Sequence, residues 1–163
     1  AYLALRDAGN AHGLKLFGAL AVESMRLEKG YLHWKADILT EFNPFETGLD
    51  RFVQMDKADF VGKEALMEQH AEGPRKQLVT LTLDSTVAPA HGGASVMVEG
   101  AVVGTVTSGG WGYRVGQNLA YAFVDPDMAQ VGTTCEIDVL GHLIKATVSP
   151  MGPHDATMTL VRG

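Results

Sequence analysis

Polar and apolar positions follow two different rhythms on either side of Gly73-Pro74. After that dipeptide, short runs of alternating Val, Leu and Thr are separated by glycines, the pattern of half-buried strands. The runs fall at 76–83, 94–99, 101–107, 118–124, 133–140 and 143–149. Glu99-Gly100 and Gly141-His142 sit between such runs at two-residue hairpin spacing. Strands this short and closely spaced predict a small antiparallel barrel or sandwich. Before Gly73 the pattern is helical. Residues 19–29 contain no breaker, are rich in good helix formers and stop at Gly30, where a C-cap glycine belongs. This helix is apolar on more than one face, which predicts that it is largely buried and that its charged groups find partners. Residues 1–8 read as the end of a helix, and 62–71 as another, capped by Asp59 and closed by Gly73. Asn43-Pro44 makes 31–47 an irregular connection, and 49–55 reads as a strand. Gly73-Pro74 is the expected boundary between two units, 1–73 and 74–163.

Composition narrows the function classes. With 163 residues, 46% hydrophobic and 20% charged, the chain can bury one good core or two small ones. The net charge of -6 comes from 19 acidic and 13 basic residues, with no basic run longer than Arg75-Lys76. Such a surface does not attract a polyanion, so nucleic acid is a poor partner. A single cysteine, Cys135, fits a reducing, cytoplasmic compartment. No apolar run approaches the roughly 20 residues of a membrane helix. The chain opens without methionine, directly in a helical pattern, which suggests that Ala1 lies inside something longer; a trimmed terminus would look the same.

Candidate chemistry is sparse. The histidines at 12, 33, 70, 91, 142 and 154 include no pair at i, i+4, so no metal site is expected. Ser108-Gly109-Gly110-Trp111-Gly112-Tyr113-Arg114-Val115-Gly116 fails as a dinucleotide fingerprint, because its last glycine is one place late and a strand follows. It reads as a long connection between strands. Two roles stay open for it: a plain linker, or a loop on which Trp111, Tyr113 and Arg114 meet a flat or anionic ligand. No nucleophile elbow is present. In Glu23-Ser24-Met25-Arg26-Leu27-Glu28-Lys29-Gly30-Tyr31, Glu23 and Arg26 share a helix face. Exposed, that pair contributes only a few tenths of a kcal/mol. Buried, the arginine needs several hydrogen bonds or an anionic partner. Tyr31, His33 and Trp34 then set aromatic faces beside a cation.

These residues carry a family resemblance. Ala21-Val22-Glu23-Ser24-Met25-Arg26-Leu27-Glu28-Lys29-Gly30 resembles the Ala-Arg-Asp-Ser-Leu-Arg-Leu-Glu-Ala-Gly signature of the glycine cleavage T-protein (aminomethyltransferase) family, and lies closer to its dimethylglycine and sarcosine dehydrogenase branch. Pro44-Phe45-Glu46-Thr47-Gly48-Leu49, Asp59-Phe60-Val61-Gly62-Lys63-Glu64-Ala65-Leu66 and Val103-Gly104-Thr105-Val106-Thr107-Ser108-Gly109-Gly110-Trp111 are similar to further motifs, in the family's order.

The resemblance implies an α+β chain: the tail of a partial α/β folate-binding region over 1–73, then a C-terminal antiparallel β-barrel over 74–163. It implies tetrahydrofolate as cofactor, loaded with a one-carbon unit from an N-methyl amine or aminomethyl donor, and FAD only if an N-terminal flavin domain exists. The partners it implies are folate and a missing N-terminal region of the same protein. The family's catalytic aspartate and pterin-gripping glutamate lie upstream, so no catalytic residue is expected here. Tyr31 and Trp34 would pack near the pterin or its aryl tail, Arg26 would hold local structure or an acidic group, and Trp111, Tyr113 and Arg114 would cover the entrance. The signature's first arginine falls on Val22, so its folate contacts do not carry over. The competing reading is a non-catalytic barrel that packs against a flavin domain or subunit.

Overall fold

The alternating runs after Gly73 become six strands: β1 Gln77–Leu83, β2 Ser95–Val98, β3 Ala101–Gly112, β4 Gln117–Val124, β5 Thr134–Val139 and β6 His142–Ser149. In the computed structural model, which describes residues 1–162, they form a closed antiparallel barrel in the order β1-β4-β3-β2-β5-β6, sealed by β6 against β1. Inward positions fill the barrel with Val79, Leu81, Val96, Val106, Ala122, Ile137 and Val148. Each large aliphatic side chain withdrawn from water there contributes about 1.5–3 kcal/mol. Both hairpin turns have two consecutive residues at positive φ, Glu99 and Gly100 (51° and 82°) and Leu140 and Gly141 (55° and 85°), which matches the twist of the flanking strands. The second turn therefore lies one residue earlier than the alternation suggests, and His142 opens β6.

Among the described residues, four α-helices accompany the barrel: α1 Tyr2–Asn10, α2 Ala19–Lys29, α3 Lys63–Glu72 and α4 Thr159–Arg162. A second apolar cluster, Leu27 with Leu78, Leu119, Tyr121 and Phe123, joins α2 to the outer face of β1 and β4. Phe42 stacks on Phe123 at 3.6 Å between centroids and extends this cover. β4 is thus buried on both faces, which is why Leu119–Val124 is continuously apolar.

Several expectations are corrected. Residues 49–55 form no strand but contain one turn of 3-10 helix, Asp50–Phe52; a closed barrel has no free edge for an added strand. Asp59 does not cap α3, whose preceding residue is Gly62. Its carboxylate instead accepts the Phe60 N–H at 3.0 Å. The helix α2 is not buried all round: Ser24, Arg26, Leu27 and Glu28 are buried, while Leu20, Val22 and Met25 face outward.

The glycine-rich stretch is not a loop as far as Gly112. β3 runs straight through it, with Trp111 paired to Asn118 and Gly109 to Ala120. No helix among the described residues is long and apolar enough to cross a membrane.

Candidate functional site

α2 ends where Gly30 adopts φ 78°, and its N–H turns back to the carbonyls of Arg26 and Leu27. The chain then makes a tight turn in which the His33 carbonyl accepts the N–H groups of Ala36, Asp37 and Ile38. That turn wraps around the Asp37 carboxylate, which is fully buried. Its Oδ2 accepts Arg26 Nη1 at 2.6 Å and the His33 N–H at 2.8 Å. Its Oδ1 accepts the hydroxyls of Thr107 and Ser108, both at 2.6 Å. Two consecutive strand residues reach one oxygen because β3 is bulged between Val106 and Ser108.

Arg26 Nη2 also donates to Ser108 Oγ at 2.8 Å, and Nε to Glu23 Oε2 at 2.7 Å. The Glu23–Arg26 pair anticipated from the spacing is present, and the anion required by burial is Asp37. Beneath them the Tyr121 hydroxyl donates to the Leu27 carbonyl at 3.1 Å. Burial pushes its phenol well above the ordinary range, Asp37 adds to that and Arg26 opposes it, so it stays a donor at neutral pH.

Two more buried carboxylates lock the surroundings. Glu28 Oε1 accepts the N–H groups of Arg114 at 2.5 Å and Val115 at 3.1 Å, which fixes the turn after β3 against α2. Glu46 accepts the Asn43 N–H at 2.9 Å and the Arg75 N–H at 3.0 Å, which joins the 43–47 turn to the start of the barrel. Burial alone would raise the Glu46 carboxyl, but its bonds from Asn43 and Arg75 hold it below the usual carboxylate range.

The segment after β6 returns over the end of α2. The His154 N–H donates to the Glu28 carbonyl at 2.9 Å, Lys29 pairs with Asp155, and the Tyr31 hydroxyl meets Met158 Sδ at 3.9 Å. The Lys29 ammonium, chiefly, holds the Asp155 carboxyl at about 2, below its ordinary 3.8, with help from the Thr159 hydroxyl and Leu160 N–H. A carboxyl depressed on folding stabilises the folded state above its unfolded pKa and loses that contribution as pH falls through the folded one. Acidification from about pH 4 to about 2 will therefore release this strap. The Met158 methyl resonance will report the release by NMR, and Lys29→Met will move the midpoint up toward 3.8; a midpoint already near 3.8 in the unsubstituted protein would contradict it.

Of the six residues picked from the sequence, all but Trp34 line grooves on the two flanks of α2. Arg26, Tyr31 and Arg114 line a groove of about 530 Å³ together with Phe17, Val22 and Met25. Trp111, Tyr113 and Arg114 line a second, of about 630 Å³, against Ser24 and Met25. The two share Met25, Glu28 and Arg114. Tyr31 is 47% exposed and Tyr113 81%, so neither belongs to an apolar interior. Trp34, 60% exposed, lines neither groove.

A larger concavity of about 690 Å³ lies on the barrel near Met97, Glu99 and Lys145, without an aromatic wall. The flanks of α2, where aromatic and cationic groups converge, are the better candidate for a ligand. Among the described residues no cluster of three or more His, Cys, Asp or Glu side chains is placed to hold a metal ion. Sequence reasoning missed Asp37, Glu28 and Glu46 as buried anchors; the one available signal was that a buried Arg26 demands an anion.

Comparison with known proteins agrees with this architecture. Residues 76–155 match the model of the glycine cleavage T-protein C-terminal barrel domain, and residues 1–57 match that of the GCVT N-terminal domain. Mitochondrial dimethylglycine dehydrogenase of Rattus norvegicus is 37% identical over 148 residues, which cover 90% of this chain and 17% of that protein. An aminomethyltransferase of Saccharopolyspora erythraea is 36% identical over 146 residues, 89% of this chain and 40% of its own length. The crystal structure of the glycine cleavage system aminomethyltransferase T from Bartonella henselae superposes with a TM-score of 0.88 at 26% identity, covering 96% of this chain and 44% of the other. The chain thus spans less than half the length of each of these relatives.

Proposed function

The chain belongs to the glycine cleavage T-protein family, and on that premise we propose that it forms one wall of a tetrahydrofolate site in a one-carbon transferase of the aminomethyltransferase or dimethylglycine dehydrogenase type. The observation that carries this reading is the groove beside α2, where the aromatic face of Tyr31 and the cationic Arg114 border an apolar floor. A planar heterocycle with an anionic tail matches those surfaces. The buried Asp37–Arg26 network holds the turn that presents Tyr31 and Trp34.

The exposed apolar face of Leu16, Phe17, Leu20 and Val22 would be the contact for the rest of a longer polypeptide, which would also bring the catalytic carboxylate. Residues 1–73 would then be the tail of the central folate-binding region and 74–163 the barrel domain. A flavin would enter only through a separate domain of that polypeptide. The lone, buried Cys135, whose thiol burial and Glu136 push up to about 11, suits a reducing cytoplasmic setting. Catalysis by such a site rests on proximity: a folate amine held against an iminium or formaldehyde equivalent captures it before water does.

Titration calorimetry of the full-length polypeptide with tetrahydrofolate tests the proposal. A single saturable site is expected, weakened about three- to tenfold by Tyr31→Ala through lost aromatic contact. Silence from folded protein would favour the non-catalytic module instead. Residues 1–163 alone are expected to bind weakly or not at all.

A further inference from the structure

A polar side chain closes the barrel at the end where β3 turns into β4. Asn118 continues the inward-facing row of Val124, Ala122 and Ala120 by one step, paired with Leu83 on β1 and Trp111 on β3. It is only 2% exposed. Its Nδ2 donates to the Ser85 carbonyl at 3.1 Å and to the Ala88 carbonyl at 2.8 Å. Both amide hydrogens are thereby used, and the two carbonyls fix which end of the carboxamide is nitrogen. The Oδ1 is buried and accepts no hydrogen bond from the described residues. Leaving a buried acceptor unmet is costly, so this oxygen calls for a donor from outside the chain. Asn118 lines a hollow of about 310 Å³ with Thr86, Val87, Pro89, Trp111 and Tyr113 among its other walls. With the amino group turned to Ser85 and Ala88, the oxygen is the part of the carboxamide left for that hollow. Pro89, Trp111 and Tyr113 also border the groove against Ser24 and Met25, but no residue of α2 lines this one. No lysine, arginine or histidine lines it either.

We propose that this barrel mouth binds a small alkylammonium ion, with one N–H donating to Asn118 Oδ1 while the charge and the alkyl groups lie against Trp111 and Tyr113. The two aromatic residues stand two positions apart, and each ring presents the negative face of its quadrupole to a cation. Such an attraction is strongest where water is excluded, and Oδ1 is shielded from water. An alcohol satisfies the oxygen and gains no cationic attraction from the rings. A quaternary ammonium gains that attraction and leaves the oxygen unmet. Positive charge and an N–H donor together therefore define the ligand class. The site is built on the barrel's own strands and on the segment that joins β1 to β2, so it does not depend on folate binding beside α2.

Three probes of nearly equal size and shape separate these contributions. tert-Butylammonium carries charge and N–H donors, tert-butanol a neutral donor, and tetramethylammonium charge without a donor. Each is titrated by saturation-transfer NMR, read on its methyl protons, against the full-length polypeptide and its Trp111→Leu variant. The difference between the two proteins isolates this hollow from any other amine site, and a denaturation curve checks that the variant folds. The expected result is saturable binding of tert-butylammonium that Trp111→Leu weakens about tenfold, with the other two probes about tenfold weaker on the unsubstituted protein. Binding of tert-butylammonium that is unchanged in the variant overturns the proposal. A control probe that binds as tightly as tert-butylammonium overturns it as well, because the hollow would then select shape, charge or donor alone. That comparison uses only the unsubstituted protein and decides the matter even if Trp111→Leu fails to fold. No saturable binding of tert-butylammonium overturns it too, and water is then the donor that meets Asn118 Oδ1.

Discussion

Replacing Asp37 with alanine will destabilise the protein by about 3–5 kcal/mol, the cost of breaking a buried ion pair by removing one of its partners. Four donors converge on this carboxylate, from Arg26, His33, Thr107 and Ser108. Without it the Arg26 guanidinium keeps only Glu23, Ser108 and a long contact to the Tyr31 carbonyl at 3.4 Å. The loss will appear as a lower denaturant midpoint at nearly unchanged slope. Arg26→Met in the Asp37→Ala background will recover part of it, because removing both charges avoids the uncompensated one. A single-variant loss under about 1 kcal/mol would show that water reaches and satisfies the guanidinium. Because this network carries the turn with Tyr31 and Trp34, any folate affinity will fall in the same variant.

Gly109→Ala will cost about 3 kcal/mol, at the upper end of overpacking penalties. A Cβ at this position would stand 2.2 Å from the Ala90 carbonyl oxygen and 3.0 Å from its carbon. Those are backbone atoms of the segment that joins β1 to β2, so no rotamer change relieves the clash. Gly18→Ala is the control: nothing lies within 4 Å of its added methyl, and it precedes α2 without a side-chain cap. That substitution will change the thermal midpoint by far less. Equal effects at the two positions would mean that the 84–94 segment moves freely off the barrel.

The same glycine explains where the sequence misled. Glycines at 109, 110 and 112 suggest a flexible connection, because glycine is the usual residue of loops. Here they are spacing rather than freedom. Gly109 admits the Ala90 carbonyl, a Cβ on Gly110 would stand 3.1 Å from Leu27 Cδ1, and one on Gly112 would stand 3.0 Å from the Glu28 side chain. Nothing local distinguishes a glycine needed for close approach from one needed for a turn.

Most of the remaining strands were legible because one face of each meets the barrel interior and alternation follows directly, while β4, buried on both faces, showed as a continuous apolar run. α2 was legible in extent, from its lack of breakers and its terminal Gly30, but not in orientation. Its buried side includes Ser24, Arg26 and Glu28, whose partners lie on β3 and in the turns at 33–38 and 113–116. Apolar periodicity cannot report a helix face that is buried through hydrogen bonds. Asp37 and Glu46 were invisible for a related reason: each lies in an irregular connection, and its burial is imposed by distant donors.

Closure of the barrel by β6 against β1 has a consequence for biogenesis. Thr80 pairs with Ser149 and Leu83 with Ala146, so the first strand waits for the last before the cylinder is complete. During translation the ribosome must pass Ser149 before β1 gains its second neighbour, and until then the nascent chain presents an open sheet with an apolar lining. Such contacts, distant along the chain, form slowly and leave unpaired edges exposed to other chains. Holdase chaperones that bind the emerging polypeptide would act in that interval.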